Sequence, residues 1–377
     1  MVNKLKFGMV GGADGSFIGG VHRRGAGYDG LAELAAGCFS RNPEKNDKAG
    51  AAFGIDPSRI YTDYKAMAAA EGARGDGIDF VTVATPNNSH YEISKAFLEA
   101  GISVACDKPF TFTSAEALEL TKLAESRGLY IMISYTYTGY AMVRHARKLI
   151  DSGAIGDIFM VNAEYLQGWG GNSEALKMRA EKRGNPAVFG PASTLSDVGT
   201  HIEATVREMT GLEIKRLTAR MEDVGKLARD TSDTVMLEFE GGASGLYWAS
   251  QISIGYNNGF KIRVFGSKGT LEWYQEDPNY LKIATLEHPP YAISSGSAFT
   301  PKDECGWRLP AGHPEGFYEA FANLYTPFER AILKSKNGEK AAPEELTFTD
   351  GMNGYYGMRF VERCLESVQK GGVWVDW

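Results

Sequence analysis

From the N-terminus to Ser134, short apolar runs alternate with amphipathic segments of helical length. The runs Lys4–Val10, Leu34–Phe39, Phe80–Ala84, Ser103–Cys106 and Tyr130–Ser134 are strand-sized, which predicts parallel strands joined by crossover helices. One intervening helix is marked at both ends. Thr113 and Glu116 have capping-box spacing, Leu118, Leu120 and Leu123 follow, and Gly128 stops it. Residues 1-140 therefore read as a doubly wound Rossmann-type domain of α/β class.

After Tyr140 the texture changes. Val235, Leu237 and Phe239 alternate with polar neighbours, and similar runs occur at Ile214–Met221, Gly245–Gln251, Lys261–Phe265 and Thr270–Tyr274. Turns at Gly241-Gly242 and Gly266-Ser267-Lys268-Gly269 join them. Residues 141-377 are thus expected to form an α+β domain around a large, mostly antiparallel sheet, one side of which is solvated or faces another subunit. Its far end, Glu315–Lys334, returns to helical spacing.

Composition narrows the classes. A chain of 377 residues with 43% hydrophobic content can bury two cores. A net charge of −7 without a basic run argues against a nucleic-acid partner, whose affinity comes from clustered Lys and Arg. Cys38, Cys106, Cys305 and Cys364 are widely spaced, with no CxxC pair, so neither a disulfide framework nor a metal site is indicated. The opening Met1–Val10 lacks a signal-peptide pattern, and no stretch reaches the roughly 18 apolar residues of a membrane span. A cytoplasmic protein without a membrane partner is expected.

A literal GxGxxG occurs at Gly25–Gly30, but it leads from a helix-like segment into the second strand. A dinucleotide site needs its glycines between the first strand and the first helix, where bare backbone lets a pyrophosphate approach unpaired amides. The match at 25–30 is therefore read as a structural turn. The better candidate is Gly11-Gly12-Ala13-Asp14-Gly15-Ser16-Phe17-Ile18-Gly19, directly after Lys4–Val10. Gly11, Gly12, Ala13, Gly15, Ser16, Phe17 and Ile18 are its cofactor-binding candidates. At the end of the second strand, where a carboxylate would hold the ribose of NAD, the chain reads Ser40-Arg41. These residues tilt the choice between NAD and NADP towards NADP, unless Arg41 stacks on adenine or points to water.

Two more segments fall at carboxyl ends of expected parallel strands, where such sheets place ligands. They are Thr85-Pro86-Asn87-Asn88-Ser89-His90 and Asp107-Lys108-Pro109. With Asp197-Val198-Gly199-Thr200-His201 further on, the chain resembles the glucose–fructose oxidoreductase / inositol dehydrogenase / rhizopine catabolism (Gfo/Idh/MocA) family. Its TPNxxH, EKP and DxxxH segments match in order and rough spacing over essentially the whole chain, with Asp107 in place of Glu and a stretched glycine turn. The resemblance implies an NAD(P)-dependent dehydrogenase or reductase of a secondary hydroxyl in a sugar, sugar derivative or cyclitol. Cofactor contacts are then also expected from Thr85, Pro86, Asn87, His90, Asp107 and Lys108, although His90 reads more readily as a residue that caps or packs the next helix.

Oxidising a secondary alcohol requires a base for the hydroxyl proton and a donor for the oxygen as its charge changes. Lys108, Asp197 and His201 supply those types, and on a helix positions 197 and 201 share a face. The resemblance implies that Lys108 contacts the reacting hydroxyl and nicotinamide ribose, that His201 is the base and that Asp197 orients substrate or His201. Lysine burial beside a cationic ring would also suit Lys108 to move the proton, and the residues alone leave both open. For the substrate, Tyr165, Gln167 and Trp169 offer aromatic and amide groups suited to a polyol, with sheet packing as the bland reading. His313, in a loop before a helix, and Arg183, with Arg179 in a charged segment, are further candidates.

The same fold family implies two other classes. One is a glycosidase that oxidises a sugar hydroxyl transiently with bound NAD, and the other a non-catalytic nucleotide-sensing regulator, which the joint retention of Lys108, Asp197 and His201 opposes. A homodimer or homotetramer through the second-domain sheet is implied as well.

Overall fold

The computed structural model describes residues 4–183, 185–224 and 229–377. Its apolar runs form β1 (Leu5–Gly11), β2 (Ala32–Cys38), β3 (Phe80–Ala84), β4 (Ser103–Cys106) and β5 (Ile131–Ile133). Among the described residues these make one five-stranded sheet in the order β2-β1-β3-β4-β5, parallel throughout. The crossovers carry α1 (Phe17–Gly27), α2 (Pro43–Ala52), α3 (Tyr64–Ala73), α4 (His90–Glu99) and α5 (Ser114–Ser126). The capping box expected at Thr113 and Glu116 is present, and Gly128 adopts a positive φ just beyond the end of α5.

The first compact unit runs to Thr136 and resumes over Phe317–Tyr355. The helix Phe317–Lys336 thus packs with the parallel sheet and not with the second sheet, unlike the division at residue 140 expected from sequence. Its apolar stripe explains this. Phe321, Leu324, Tyr325, Phe328, Ala331 and Ile332 recur at helical spacing and share a core with Leu5, Phe7, Val21, Phe80 and Met132. The rings of Phe7 and Phe80 stack at 5.3 Å, and Phe328 meets Phe80 edge-on at the same separation. Each such buried side chain contributes about 2 kcal/mol.

Gly25, the first glycine of the GxGxxG at 25–30, belongs to this packing. A Cβ there would stand 3.1 Å from the Tyr325 ring and 3.2 Å from Phe321, so its glycine serves close approach of two helices. No nucleotide role is needed to explain it.

In the second unit, Tyr137–Gly316 with Tyr356–Trp377, the alternating segments form the expected sheet. Its strands are β6 (Ile158–Leu166), β7 (Ile214–Glu222), β8 (Ser232–Phe239), β9 (Ser244–Ser250), β10 (Gly259–Gly266), β11 (Gly269–Tyr274), β12 (Tyr280–Thr285), β13 (Tyr291–Ser294) and β14 (Val375–Asp376). Their order is β13-β12-β11-β10-β6-β9-β8-β7-β14. The pairs are antiparallel except β6 with β9, which run parallel. One face buries Val161, Ala163, Tyr165, Val235, Leu237, Tyr247, Ile262 and Val264. The alternate positions Met160, Met236 and Trp248 stay exposed on the other face. Among the described residues, no helix is long and apolar enough to cross a membrane.

Glu329, on the helix Phe317–Lys336, is almost fully buried, and its Oε1 has no hydrogen-bond partner. Burial, reinforced by the nearby Asp29 carboxylate, pushes its carboxyl up to about 9. An acid whose folded pKa lies above its unfolded value stabilises least where both states are ionised, so its contribution declines as pH rises from about 4.5 to about 9. We expect Glu329→Gln to remove that decline: the gap in melting temperature in favour of the variant should widen from pH 5 to pH 9, as read by thermal unfolding at each pH.

Candidate functional site

Three glycines shape the turn between β1 and α1. Gly11, Gly12 and Gly15 have φ values of 82°, 68° and 85°, which L side chains rarely adopt. A Cβ on Gly19, in the first turn of α1, would lie 2.4 Å from the Gly12 Cα, so strand end and helix start touch backbone to backbone. Arg23, one turn on, donates to the Gly12 carbonyl at 2.6 Å while its guanidinium lies over the Phe53 ring. Ser16 is the N-cap of α1, its hydroxyl accepting from the Gly19 amide at 3.2 Å. The amides of Phe17 and Ile18 open the helix, where N–H groups have no intrahelical partner. Beside them, a Cβ on Gly15 would meet no atom within 4 Å. A bare, open turn at a helix N-terminus fits a pyrophosphate group. Ala13 is half-buried against Met9 and Phe39, whereas the Phe17 ring is exposed and stacks on Phe317.

The end of β2 is held by a residue the sequence reading did not single out. Asn46 is buried, accepts from the amides of Phe39 and Ser40 and donates to the Tyr61 carbonyl. The Ser40 hydroxyl accepts from the Asn42 amide at 3.1 Å, and Arg41 is exposed.

The Thr85–His90 and Asp107–Pro109 segments are stitched together by His90. Its buried ring lies 2.9 Å from the Thr85 carbonyl through Nε2 and 2.9 Å from the Pro109 carbonyl through Nδ1. Both ring nitrogens thus face backbone carbonyls, the packing arrangement that the sequence also offered for His90. Ser89 donates to Thr85 Oγ1, while Pro86 and Asn87 form the turn into α4.

Asp107 follows β4 directly, with its amide donating to the Val83 carbonyl. Its Oδ1 accepts from the Lys108 amide at 2.9 Å and the Ser134 hydroxyl at 2.7 Å. Burial alone would raise this carboxyl, but His22, Lys108 and Ser134 outweigh it and hold the group well below the usual carboxylate range. Lys108 is half-buried, and its peptide bond to Pro109 is cis.

In the second unit Asp197 and His201 lie on consecutive helical turns. The first, Leu195–Gly199, is widened to a π-turn, and Thr200–Thr210 continues it as α-helix. The uniform helix expected there is therefore interrupted at the aspartate, a local change common at functional sites. The turn is pinned from the segment just before β8: Asp230 accepts from the Ser193 and Leu195 amides, and Arg229 donates to the Gly190 and Ala192 carbonyls. The Asp197 carboxylate accepts from Gln251 Nε2 at 2.8 Å. His201 is buried, its ring edge-on to Tyr137 at 4.7 Å and tilted against Tyr165 at 6.2 Å.

Of the substrate candidates, Tyr165 and Gln167 join this cluster. Tyr165 is buried, its hydroxyl 2.6 Å from both the Tyr137 hydroxyl and Asn258 Oδ1. Gln167 donates to Asn258 and accepts from Gln251 and from the indole of half-exposed Trp169. His313 is exposed in its loop, its ring 3.3 Å from the Pro310 carbonyl. The side chains of Arg179 and Arg183 lie outside the described residues. Gln251, Asn258, Asp230 and Arg229 escaped the sequence reading, since nothing local marks a glutamine or asparagine as the partner of a distant carboxylate or phenol.

Comparison with known proteins accords with this geometry. Residues 5–135 match the model of an oxidoreductase family with an NAD-binding Rossmann fold, and residues 143–272 match the GFO/IDH/MocA C-terminal domain. An oxidoreductase of Bacillus subtilis, itself uncharacterized, is 38% identical over 99% of this chain and 97% of its own. A levoglucosan dehydrogenase from Pseudarthrobacter phenanthrenivorans is 26% identical over 89% of this chain and 87% of its own. The structure of an inositol dehydrogenase homologue from Azotobacter vinelandii, complexed with NADH and myo-inositol, is similar with a TM-score of 0.92 and 36% identity, covering 100% of this chain and 98% of that one. With both of its units matched and a relative similar from end to end, the chain belongs to the Gfo/Idh/MocA family of NAD-binding oxidoreductases.

Proposed function

We propose that the protein moves a hydride between NAD and a ring carbon bearing a secondary hydroxyl in a sugar, sugar derivative or cyclitol. The observation that carries this reading is the joint presence of Lys108, set after a locked carboxylate, and of Asp197 and His201 on a pinned helical turn. They occur in a chain similar over its whole length to a protein solved with NADH and myo-inositol.

When bound, the nicotinamide takes up or delivers the hydride. His201 takes the hydroxyl proton in oxidation and returns it in reduction, while Asp197, held by Gln251, orients the exchange. Lys108 donates a hydrogen bond to the oxygen whose charge changes as the C–H bond breaks. Gly11, Gly12, Gly15 and the first turn of α1 hold the pyrophosphate, with Thr85, Pro86, Asn87 and Asp107 lining the same carboxyl edge of the sheet. Arg41 is the group through which a 2′-phosphate would be accepted. Tyr165, Gln167, Trp169, Arg183 and His313 belong to substrate recognition, where aromatic faces suit the C–H faces of a polyol.

The outward face of the second sheet, with Met160, Met236 and Trp248 exposed, serves a homodimer or homotetramer. Buried free cysteines support a reducing compartment, the cytoplasm.

A panel of inositols, aldoses and glycosides, incubated with NAD and separately with NADP, tests the reading by absorbance of the reduced nucleotide. Net reduction with a polyol or aldose is expected; glycoside cleavage without it would instead assign a glycosidase that oxidises its substrate transiently. Lys108→Ala should lower kcat by about two to four orders of magnitude while NADH affinity, read by fluorescence titration, changes by less than about threefold. Near-normal kcat would remove Lys108 from the chemistry. His201→Ala should lower kcat by about 10²–10⁴ with the α1 turn still binding NADH, and a smaller loss would shift the proton to another group.

A further inference from the structure

The surroundings of His22 are those of a working group. It lies in the middle of α1 and is wholly buried. Nδ1 is 2.7 Å from the Tyr325 hydroxyl, which is 3.1 Å from Thr82 Oγ1 on β3. On the other side, Nε2 points at Asp107 Oδ1 from 3.7 Å and has no hydrogen-bond partner. The ring is clamped edge-on by Phe321 at 5.2 Å and Tyr325 at 6.0 Å. A polar line thus runs from Thr82 through Tyr325 and His22 to the carboxylate beside Lys108.

The direction of the line follows from its ends. Burial pushes the Tyr325 phenol well above its ordinary range, so the O–H is retained and available to donate. If Thr82 donates to Tyr325 and Tyr325 donates to Nδ1, the imidazole carries its proton on Nε2, facing Asp107. The opposite direction would set a nitrogen lone pair against the carboxylate, which repels it. The carboxylate therefore selects the Nε2–H tautomer.

We propose that His22 is a positioning residue for hydride transfer: its Nε2–H faces the Asp107 carboxylate across 3.7 Å and attracts it, and the carboxylate in turn holds the backbone of Lys108. This rests on the assignment of Lys108 to the chemistry. The charged and titratable groups around Asp107 are His22 from α1, Cys106 and Lys108 from its own segment, and Tyr325 from the helix Phe317–Lys336, with Glu329 behind Tyr325. His22 is the partner that draws the carboxyl down most strongly against burial. Without it, Asp107 takes up a proton at higher pH, and activity that requires the carboxylate is lost earlier on acidification.

Two amide substitutions separate the ring nitrogens. His22→Gln can keep a donor where Nε2 stood, whereas His22→Asn retains a polar group only near Nδ1. In the full-length protein, His22→Asn should lower kcat by about 10- to 100-fold and move the acid limb of kcat/KM to higher pH, with NADH affinity changed by less than about threefold. His22→Gln should stay within about threefold of the native kcat, with its acid limb in place. Native kcat in His22→Asn, an equal loss in both variants, or a loss with the acid limb unmoved would overturn the proposal. A long-range ¹⁵N–¹H spectrum of the native protein, with its six histidines, tests it without substitution. Nε2–H is expected for His22, and Nδ1–H would also overturn it. If Lys108→Ala is inactive and His22→Asn is native, only this inference fails; if Lys108→Ala is itself native, the functional reading falls first.

Discussion

A partly buried carboxylate that stays ionised is the constraint around which the first unit is arranged. Asp107 stands at the end of β4, where a carboxylate without partners would be costly. Its partners come from three places: Lys108, through its amide and its charge, the hydroxyl of Ser134 after β5, and the imidazole on α1. Moving any of these elements leaves charge in a poorly hydrated space, so strand, turn and helix hold one another in register. The His90 ring adds a second fastening through Pro109, which ties the end of β3 to the same turn. A lysine delivered from such a turn has a fixed backbone.

The second unit solves the same problem with neutral groups. Asp197 is anchored by an amide whose own oxygen accepts from Thr194, and the amide of Gln167 continues the line to Asn258. Asn258 then satisfies Tyr165, Tyr137 and Gln275. A network of this kind pairs buried polar groups largely with neutral partners. The π-turn at Leu195–Gly199 is tolerable because Asp230 and Arg229 take up amides and carbonyls on the segment leading into it. The alternation of the sheet was legible in sequence, while this lattice of amides was not.

The bounds of β3 and β4 agree to the residue, the Thr113 capping box is present, and the TPNxxH and Asp107-Lys108-Pro109 segments fall at carboxyl ends of strands. Helix Gly351–Gln369 was missed because Gly351, Gly354 and Gly357 oppose it by propensity; a Cβ on Gly354 would stand 2.5 Å from Phe110, so close packing required glycine there. Helix Ala141–Asp151 stands at the border where strand alternation begins, which masks the helical stripe of Met142, Val143 and Ala146. The supports of the site were invisible for a different reason. His22 and Tyr325 are 303 positions apart and Asp197 and Gln251 are 54 apart, so no window of sequence contains either pair.

The first helix shows why local and distant requirements cannot be separated. Its sequence, with Gly19, Gly20, Gly25 and Gly27 among eleven residues, is poor helix material, each interior glycine costing about 1 kcal/mol relative to alanine. Those positions are intelligible as points of approach. Gly19 admits the Gly12 backbone, Gly25 admits Tyr325 and Phe321, and between them His22 reaches towards Asp107 while Arg23 holds the Gly12 carbonyl. The helix therefore owes its stability to what it touches more than to its own propensity. Because the same short rod opens the nucleotide turn at one end and faces the Asp107 carboxylate from its middle, a shift that loosened the glycine turn would also displace the imidazole. The glycine turn and the lysine turn are thus mechanically one part, although Ser16 and Lys108 are 92 positions apart.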